Sequence, residues 1–422
     1  MCALLRITLL DTDGSLQQSA SAPVLPTEVG EETAQPELTR PLLFTMALAC
    51  GLAIANVAYN QPLLGQISAS LHVSHREVGI LPSLTQMGFA CGVFFIAPLG
   101  DVLERRRLIL TMLGLVSVSL VATALAPNMG VLGLCGLAVG VTSVISTLVL
   151  PFAVALARPD ERGATVGVLS SAMLIGTLLS RTLSGAVGEY LGWRAVYAVA
   201  AVFMVALAIT MRALLPRSAP QASMPYPHLL RTMLGFLRTE PILKQATLNG
   251  FLLYAALSAF WATLAFLMES PAYHYGPAAA GLFGLVGAGG ATLAPHVGRL
   301  ADAYSPRLLV GIAATGMLIA YVMLFGFGTH LPGLIMAVIV LDLCAQSATI
   351  SNQASVYSLP SHAHSRYYTV YRAAYSLGGS MGAWLGAAAW GIYGWKGVCG
   401  TGITLLSIAL LFHLRASARN KG

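Results

Sequence analysis

The sequence predicts an all-α polytopic membrane protein, with twelve transmembrane helices in two pseudo-symmetric six-helix bundles. Three observations predict it. Only 9% of the 422 residues are charged and 56% are hydrophobic, with a mean hydropathy of +0.75; a soluble domain carries about 25% charged residues. Apolar runs of membrane-crossing length follow one another along the chain. Features of the first half also return in the second at a nearly constant offset.

Residues 1–40 are polar, and their apolar piece Ala3–Leu10 is short and broken by Arg6, a poor signal sequence. They read as a disordered cytoplasmic tail or as the product of a start codon placed too early. The first bundle, 41–213, has spans at about 42–65, 79–99, 108–127, 131–156, 164–188 and 193–213. Residues 214–245 form a cytoplasmic linker. In it Leu229, Leu230, Met233, Leu234 and Leu237, with Arg231 and Arg238, fit an amphipathic helix on the inner leaflet. The second bundle, 246–415, has spans at about 246–269, 278–297, 308–328, 331–357, 367–390 and 395–414, and 416–422 form a short cytoplasmic tail.

With the N-terminus inside, most of the 23 Lys and Arg fall in inner loops and tails. Only Arg76, Arg194 and Lys396 fall in outer loops, and Arg181 and Arg372 fall within spans. Basic residues near spans resist translocation. Both termini are therefore expected in the cytoplasm, and a bacterial source would place the chain in the inner membrane. The net charge of +7 is scattered over short loops. It forms no basic patch with interleaved aromatics, which excludes a nucleic-acid partner. The cysteines are isolated and form no C-x-x-C pair, so neither a disulfide framework nor a metal is expected. No cofactor is expected either.

The repeat carries the functional inference. Asp101, Arg105 and Arg106 lie between spans two and three, and Asp302 and Arg307 lie between spans eight and nine, the two acids 201 positions apart. Gly176, Ser180 and Ser184 in span five fall on Gly378, Gly382 and Gly386 in span eleven at an offset of 202. Gly192-Trp193-Arg194 falls on Gly394-Trp395-Lys396 at the same offset. Small residues every fourth position cut a groove that lets two helices approach closely in lipid. Gly287-Ala288-Gly289-Gly290 reads as helix packing, because a dinucleotide loop would need a preceding strand and glycine where Thr292 stands. A duplicated polytopic chain points to a transporter.

Of the 16 acids, Asp342 alone lies deep in a span. It is about eleven residues in, roughly 16 Å at ~1.5 Å per residue, near the middle of a ~30 Å hydrocarbon core. A carboxylate there is costly unless neutral or paired, so it reads as the proton-coupling group, or else as a structural acid bonded to neighbouring helices. Arg181, in the outer half of span five, could pair with Asp342, bind an anionic substrate group, brace the outer gate or snorkel. Arg372, near the inner edge, reads as snorkelling. Asn56 and Asn60 in span one, Gln86 in span two, Asn249, Tyr254 and Trp261 in span seven, and Gln346 one turn from Asp342 are candidates to line a cavity. Each reads equally as an interhelical bridge.

These features resemble the major facilitator superfamily. Its signature loop, Gly-x-Leu-Ala-Asp-Arg-x-Gly-Arg-Arg, is matched by Asp101, Arg105 and Arg106 and again by Gly298, Leu300, Ala301, Asp302 and Arg307; Ala97, Val102 and Glu104 depart from it. Span five resembles that family's antiporter signature through Gly167, Gly176 and Gly185, while Ser180, Arg181 and Ser184 replace Gly, Pro and Gly. Asn56-Val57-Ala58-Tyr59-Asn60-Gln61-Pro62 and Leu341-Asp342-Leu343-Cys344-Ala345-Gln346 resemble a bacterial branch of drug- and sugar-efflux-like proton antiporters. The resemblance implies a midplane cavity lined by helices one, four, seven and ten, alternating access, and a gating role for Asp101, Arg105, Arg106, Asp302 and Arg307. It implies a small-molecule substrate, protons as the coupling ion, a bilayer around a monomer, and export. An ionised Asp342 would favour a cationic or polar substrate that competes with the proton. An uncoupled facilitator, an importer and a non-transporting sensor are the alternatives. No H-E-x-x-H pair, serine elbow or pair of deep carboxylates supports an enzyme.

Reporter fusions test the topology. Fusions after Arg107, Leu237 and His413 should report cytoplasm, and fusions near Asn128 and Tyr273 the exterior; an external C-terminus would contradict the twelve-helix arrangement.

Overall fold

A computed structural model describes residues 38–217, 225–291, 305–360 and 363–419. The expected tail, for all but its last residues, and Asp302 of the second signature loop lie outside the described residues. The spanning elements are α1 (Arg40–Leu71), α2 (His75–Val102), α3 (Arg105–Ala124), α4 (Met129–Leu156), α5 (Arg162–Leu191) and α6 (Trp193–Leu214). After a connecting helix, Tyr226–Thr239, come α7 (Pro241–Glu269), α8 (Pro277–Ala291), α9 (Pro306–Phe327) and α10 (Leu331–Tyr357). The helical stretch His364–Arg419 is broken at Gly394, whose φ of 59° and ψ of −147° separate α11 (364–393) from α12 (395–419). Among the described residues, the twelve helices named would put residues 40 and 415 on one face, called here the terminal face.

Local chemistry sets the helix ends. Ser74 and Glu77 form a reciprocal capping box that opens α2, satisfying two N–H groups that lack helical partners. Ser305 accepts from the Leu308 N–H, and Pro306, with no N–H to satisfy, opens α9. The repeated Gly-Trp corners share a backbone reason. Gly192 has φ 83° and Gly394 has φ 59°, a region that only glycine enters without strain. The following Trp193 and Trp395 are buried, the latter donating to the Leu324 carbonyl at 3.0 Å.

Small residues bring helices together in both halves. α5 lies on α1, with Gly176 against the Gly51 backbone and a Cβ on Gly51 placed 2.9 Å from the Ala172 carbonyl. Ser180 and Ser184 on the same stripe are buried. α11 lies on α7, where Gly378, Gly382 and Gly386 meet the backbone of Phe251, Ala255 and Ala259. With arginine where the antiporter pattern has proline, α5 runs as one unbroken 30-residue helix. Each half has its own apolar core, one running from Leu42 to Leu215 and taking in Phe266 and Ala373 of the second half, the other from Leu252 to Ala409. Large side chains such as Phe44, Leu125, Ile209 and Ile312 point outward. In water this belt would drive aggregation; in a bilayer it faces its solvent. The connecting helix sets most of its apolar side against the protein. Leu229 and Met233 pack on Tyr367, Val370 and Tyr371, whereas Leu234 is 55% exposed, so its apolar residues divide between protein and surroundings.

The halves meet tightly at the face remote from the termini. α5 crosses α8 where a Cβ on Gly281 would lie 2.6 Å from the Arg181 carbonyl. There Thr182 donates to the Gly281 carbonyl at 3.0 Å, and Glu189 accepts from the Ala278 N–H at 2.8 Å. That carboxylate also meets the positive end of α8. α2 crosses α11 where Ser83 and Ser380 lie 3.0 Å apart, oxygen to oxygen. Glu269 packs against Gly65, and His75 stacks on Phe266. Ser83→Cys with Ser380→Cys, in a background without the native cysteines, should therefore cross-link readily under oxidation. Adding Gly281→Leu should cut the cross-linked fraction several-fold by wedging α8 from α5; unchanged cross-linking would contradict this packing.

Candidate functional site

A cavity of about 190 Å³ lies between the halves, walled by α1, α2, α5, α7, α8, α10 and α11. Trp261 organises its charged side. The Arg181 guanidinium lies over the indole, 3.8 Å from the ring centroid. The indole N–H donates to Asp342 Oδ1 at 3.3 Å. Arg181 Nε donates to Gln61 Oε1 at 2.8 Å. Arg181 and Asp342 make no direct ion pair within 4.0 Å among the described residues. They are joined through the aromatic ring, one by its π face and the other by its N–H. Asp342 Oδ2 lies where a side chain at Gly287 would stand, so that glycine makes room for the carboxylate.

The opposite wall is aromatic. Gln86 donates to the Tyr254 hydroxyl at 2.8 Å. Tyr254 stacks on Tyr375 with centroids 4.0 Å apart and planes 14° apart. The Arg372 guanidinium lies 5.2 Å from the Tyr375 ring and 5.7 Å from Phe89. A second cavity of about 300 Å³ opens toward the terminal face, and Arg372 lines both. It is a charged partition between them.

Asp342, Arg181, Gln86, Tyr254, Trp261 and Gln346 all line the central cavity. Three other candidates do not. Asn56 is 2% exposed, and neither end of its amide has a hydrogen-bond partner among the described residues. Asn60 is an interhelical bridge, donating to Thr85 Oγ1 at 3.0 Å. Asn249 lies 3.5 Å from His413 in a separate small recess with Arg307. Arg372 is a further correction: it turns into the cavities instead of snorkelling. Its spacing from Tyr375, three residues on one helix, places both on one face, which was the signal available in the sequence. Gln61 was missed because the short 3₁₀ turn Gln61–Leu63 redirects the chain there.

The first signature loop faces the second cavity. Asp101 pairs with Arg105 at 3.2 Å, and Arg105 also donates to the Gly100 carbonyl at 3.0 Å. Ser365 and Arg366 line the same cavity as Asp101. Arg106 instead donates to the Arg212 carbonyl at 2.7 Å, closing the C-terminal end of α6. Its contact stays within its own half.

Comparison with known proteins agrees with this architecture. The sequence pattern of the Major Facilitator Superfamily matches residues 46–383 and 247–421. The chain belongs to the Major Facilitator Superfamily. It is 34% identical over 385 residues to the uncharacterized transporter YgaY of Escherichia coli O157:H7, covering 91% of this chain and 98% of that one. It is 32% identical over 376 residues to the probable transporter SCO4007 of Streptomyces coelicolor, covering 89% and 86%. Its fold matches a bacterial homolog of the human lysosomal transporter Spinster, crystallised inward-facing and occupied, with TM-score 0.72, 14% identity and coverage of 90% and 96%. The protein is thus a multi-pass membrane transporter of small molecules and not an enzyme.

For a superfamily member, the Asp101–Arg105 pair predicts a kinetic role. Asp101→Asn should leave folded protein in the membrane, lower turnover and change KM little. A large rise in KM at unchanged turnover would contradict a gating assignment.

Proposed function

We propose that this transporter is proton-coupled and works by alternating access, with Asp342 as the group that takes up and releases the proton. The observation that carries the reading is the position of Asp342: among the described residues it is the acid that lines the central cavity, held by Trp261 against Arg181. A carboxylate in a low-dielectric site beside a cation can change its charge when either its partner or its solvent access changes. With both termini in the cytoplasm, the tight face would be external and the larger cavity internal, so the conformation described would be inward-facing. The charge bias of the loops supports cytoplasmic termini, and the bacterial relatives support a place in the cytoplasmic membrane.

Two couplings are open to such a site. Export by exchange is what the antiporter-like α5 and the efflux-like motifs of α1 and α10 support. In that scheme a proton and a cationic or polar substrate compete for Asp342. Arg372 favours a second scheme. With two guanidiniums facing the cavity, neutralising Asp342 makes the site more positive, so a proton and an anion would be held together and move the same way.

Vesicles of both orientations, with an imposed pH gradient, separate these. Exchange should load substrate into inverted vesicles with an acid interior, and co-transport into right-side-out vesicles with an acid exterior. A screen over drugs, sugars, amino acids and organic acids finds the substrate. In either scheme Asp342→Asn should abolish gradient-driven accumulation and leave some downhill exchange. Full gradient-driven transport by Asp342→Asn would remove this residue from the mechanism and leave an uncoupled facilitator or another proton carrier.

A further inference from the structure

We propose that the central cavity selects a small organic anion with a planar apolar body, its carboxylate held between Arg181 and Arg372. This rests on the reading that the chain transports a small molecule through this cavity, though not on the direction of transport.

The charge balance is the first support. Among the described residues, Arg181, Arg372 and Asp342 are the charged groups that line the cavity. One carboxylate offsets one guanidinium, and a positive charge is left over. A cationic substrate drawn to Asp342 would face Arg181 across Trp261 and Arg372 on the other side. An anion has the opposite balance.

The second support is which donors are already engaged. Asp342 accepts the Trp261 N–H, and Arg181 Nε is occupied by Gln61. Arg372 has no ion pair or hydrogen bond among the described residues; its neighbours are the rings of Tyr375 and Phe89 and the tyrosines Tyr368, Tyr254 and Tyr371. An arginine within a bilayer is costly unless its donors are met. Here a complete guanidinium fork is turned toward two cavities. That planar fork matches a carboxylate in a way that an ammonium does not.

The third support is the shape of the walls. The stacked Tyr254–Tyr375 pair gives a flat surface on one side, while the Trp261 ring is covered by Arg181 and holds that guanidinium in place. A flat aromatic or conjugated body fits against such a surface. At about 190 Å³ the space is smaller than the roughly 300–1,000 Å³ typical of sites for drug-sized ligands. It suits a one-ring molecule.

Three probes with one ring and different charge test this: benzoate, benzamide and benzylamine, titrated into the purified full-length protein in nanodiscs by calorimetry. Benzoate should bind about ten-fold or more tightly than the other two, the scale of losing a charge-assisted hydrogen bond. Arg372→Gln should weaken benzoate about ten-fold, with Arg372→Lys intermediate, and leave benzamide unchanged. Arg181→Gln should also weaken benzoate, which keeps the test alive if one variant fails to fold. Asp342→Asn should bind benzoate at least as tightly as the parent. Stronger binding of benzylamine, absence of benzoate binding, or unchanged benzoate affinity in a folded Arg372→Gln protein would overturn the proposal. Benzoate binding with no solute movement in vesicles would remove the transport reading and leave the anion site standing.

Discussion

Charge held inside a bilayer is the constraint on which the rest of this structure depends. An ionised side chain in hydrocarbon needs a partner, water or a proton. The protein meets that need with an indole: Trp261 offers its π face to Arg181 and its N–H to Asp342. Gln61 holds the arginine from α1, and Gly287 leaves room for the carboxylate on α8. Four elements from both halves therefore converge on one aromatic ring. A rearrangement of the halves must change those contacts, and a change in the charge of Asp342 must alter how well the halves fit. That reciprocity is what a coupled carrier requires.

The small-residue seams supply the complementary mechanical property. Within each half, α5 on α1 and α11 on α7 approach backbone to backbone, which favours two rigid bodies. Between halves, α5 meets α8 and α2 meets α11 through glycine, serine and a carboxylate at a helix end. Those contacts lie toward one face, where Phe266 of the second half also packs into the first half's core. On the terminal face, Asp101 pairs with Arg105, and Ser365 and Arg366 line the same cavity.

Much of this was legible in the sequence because it follows from periodicity and cost. Apolar runs of bilayer length gave the spans, and the offset of 202 gave the paired seams and the Gly-Trp corners, which share positive φ. Asp342 stood out because a lone deep acid is expensive. The asparagines were not legible in the same way. Asn56, Asn60 and Asn249 have the chemistry of cavity residues, but rotation about the helix axis turned them into packing or bridging positions. Depth alone misled for Arg372. Closeness to a span end suggested snorkelling, while its helical face, shared with Tyr375, points inward. Neither rotation nor facing is encoded in composition. The three-residue turn after Asn60 likewise placed Gln61 where hydropathy could not.

On the reading proposed above, proton and substrate meet through one set of charges in the central cavity, Asp342, Arg181 and Arg372. The most direct test is the number of protons exchanged when benzoate binds, read by calorimetry in buffers of different ionisation enthalpy. An anion seated between Arg181 and Arg372 is repelled by an ionised Asp342, so binding should draw a proton from solution onto the protein. Asp342→Asn should bind benzoate with no proton exchange. Proton release on binding, or uptake that persists in Asp342→Asn, would contradict the account.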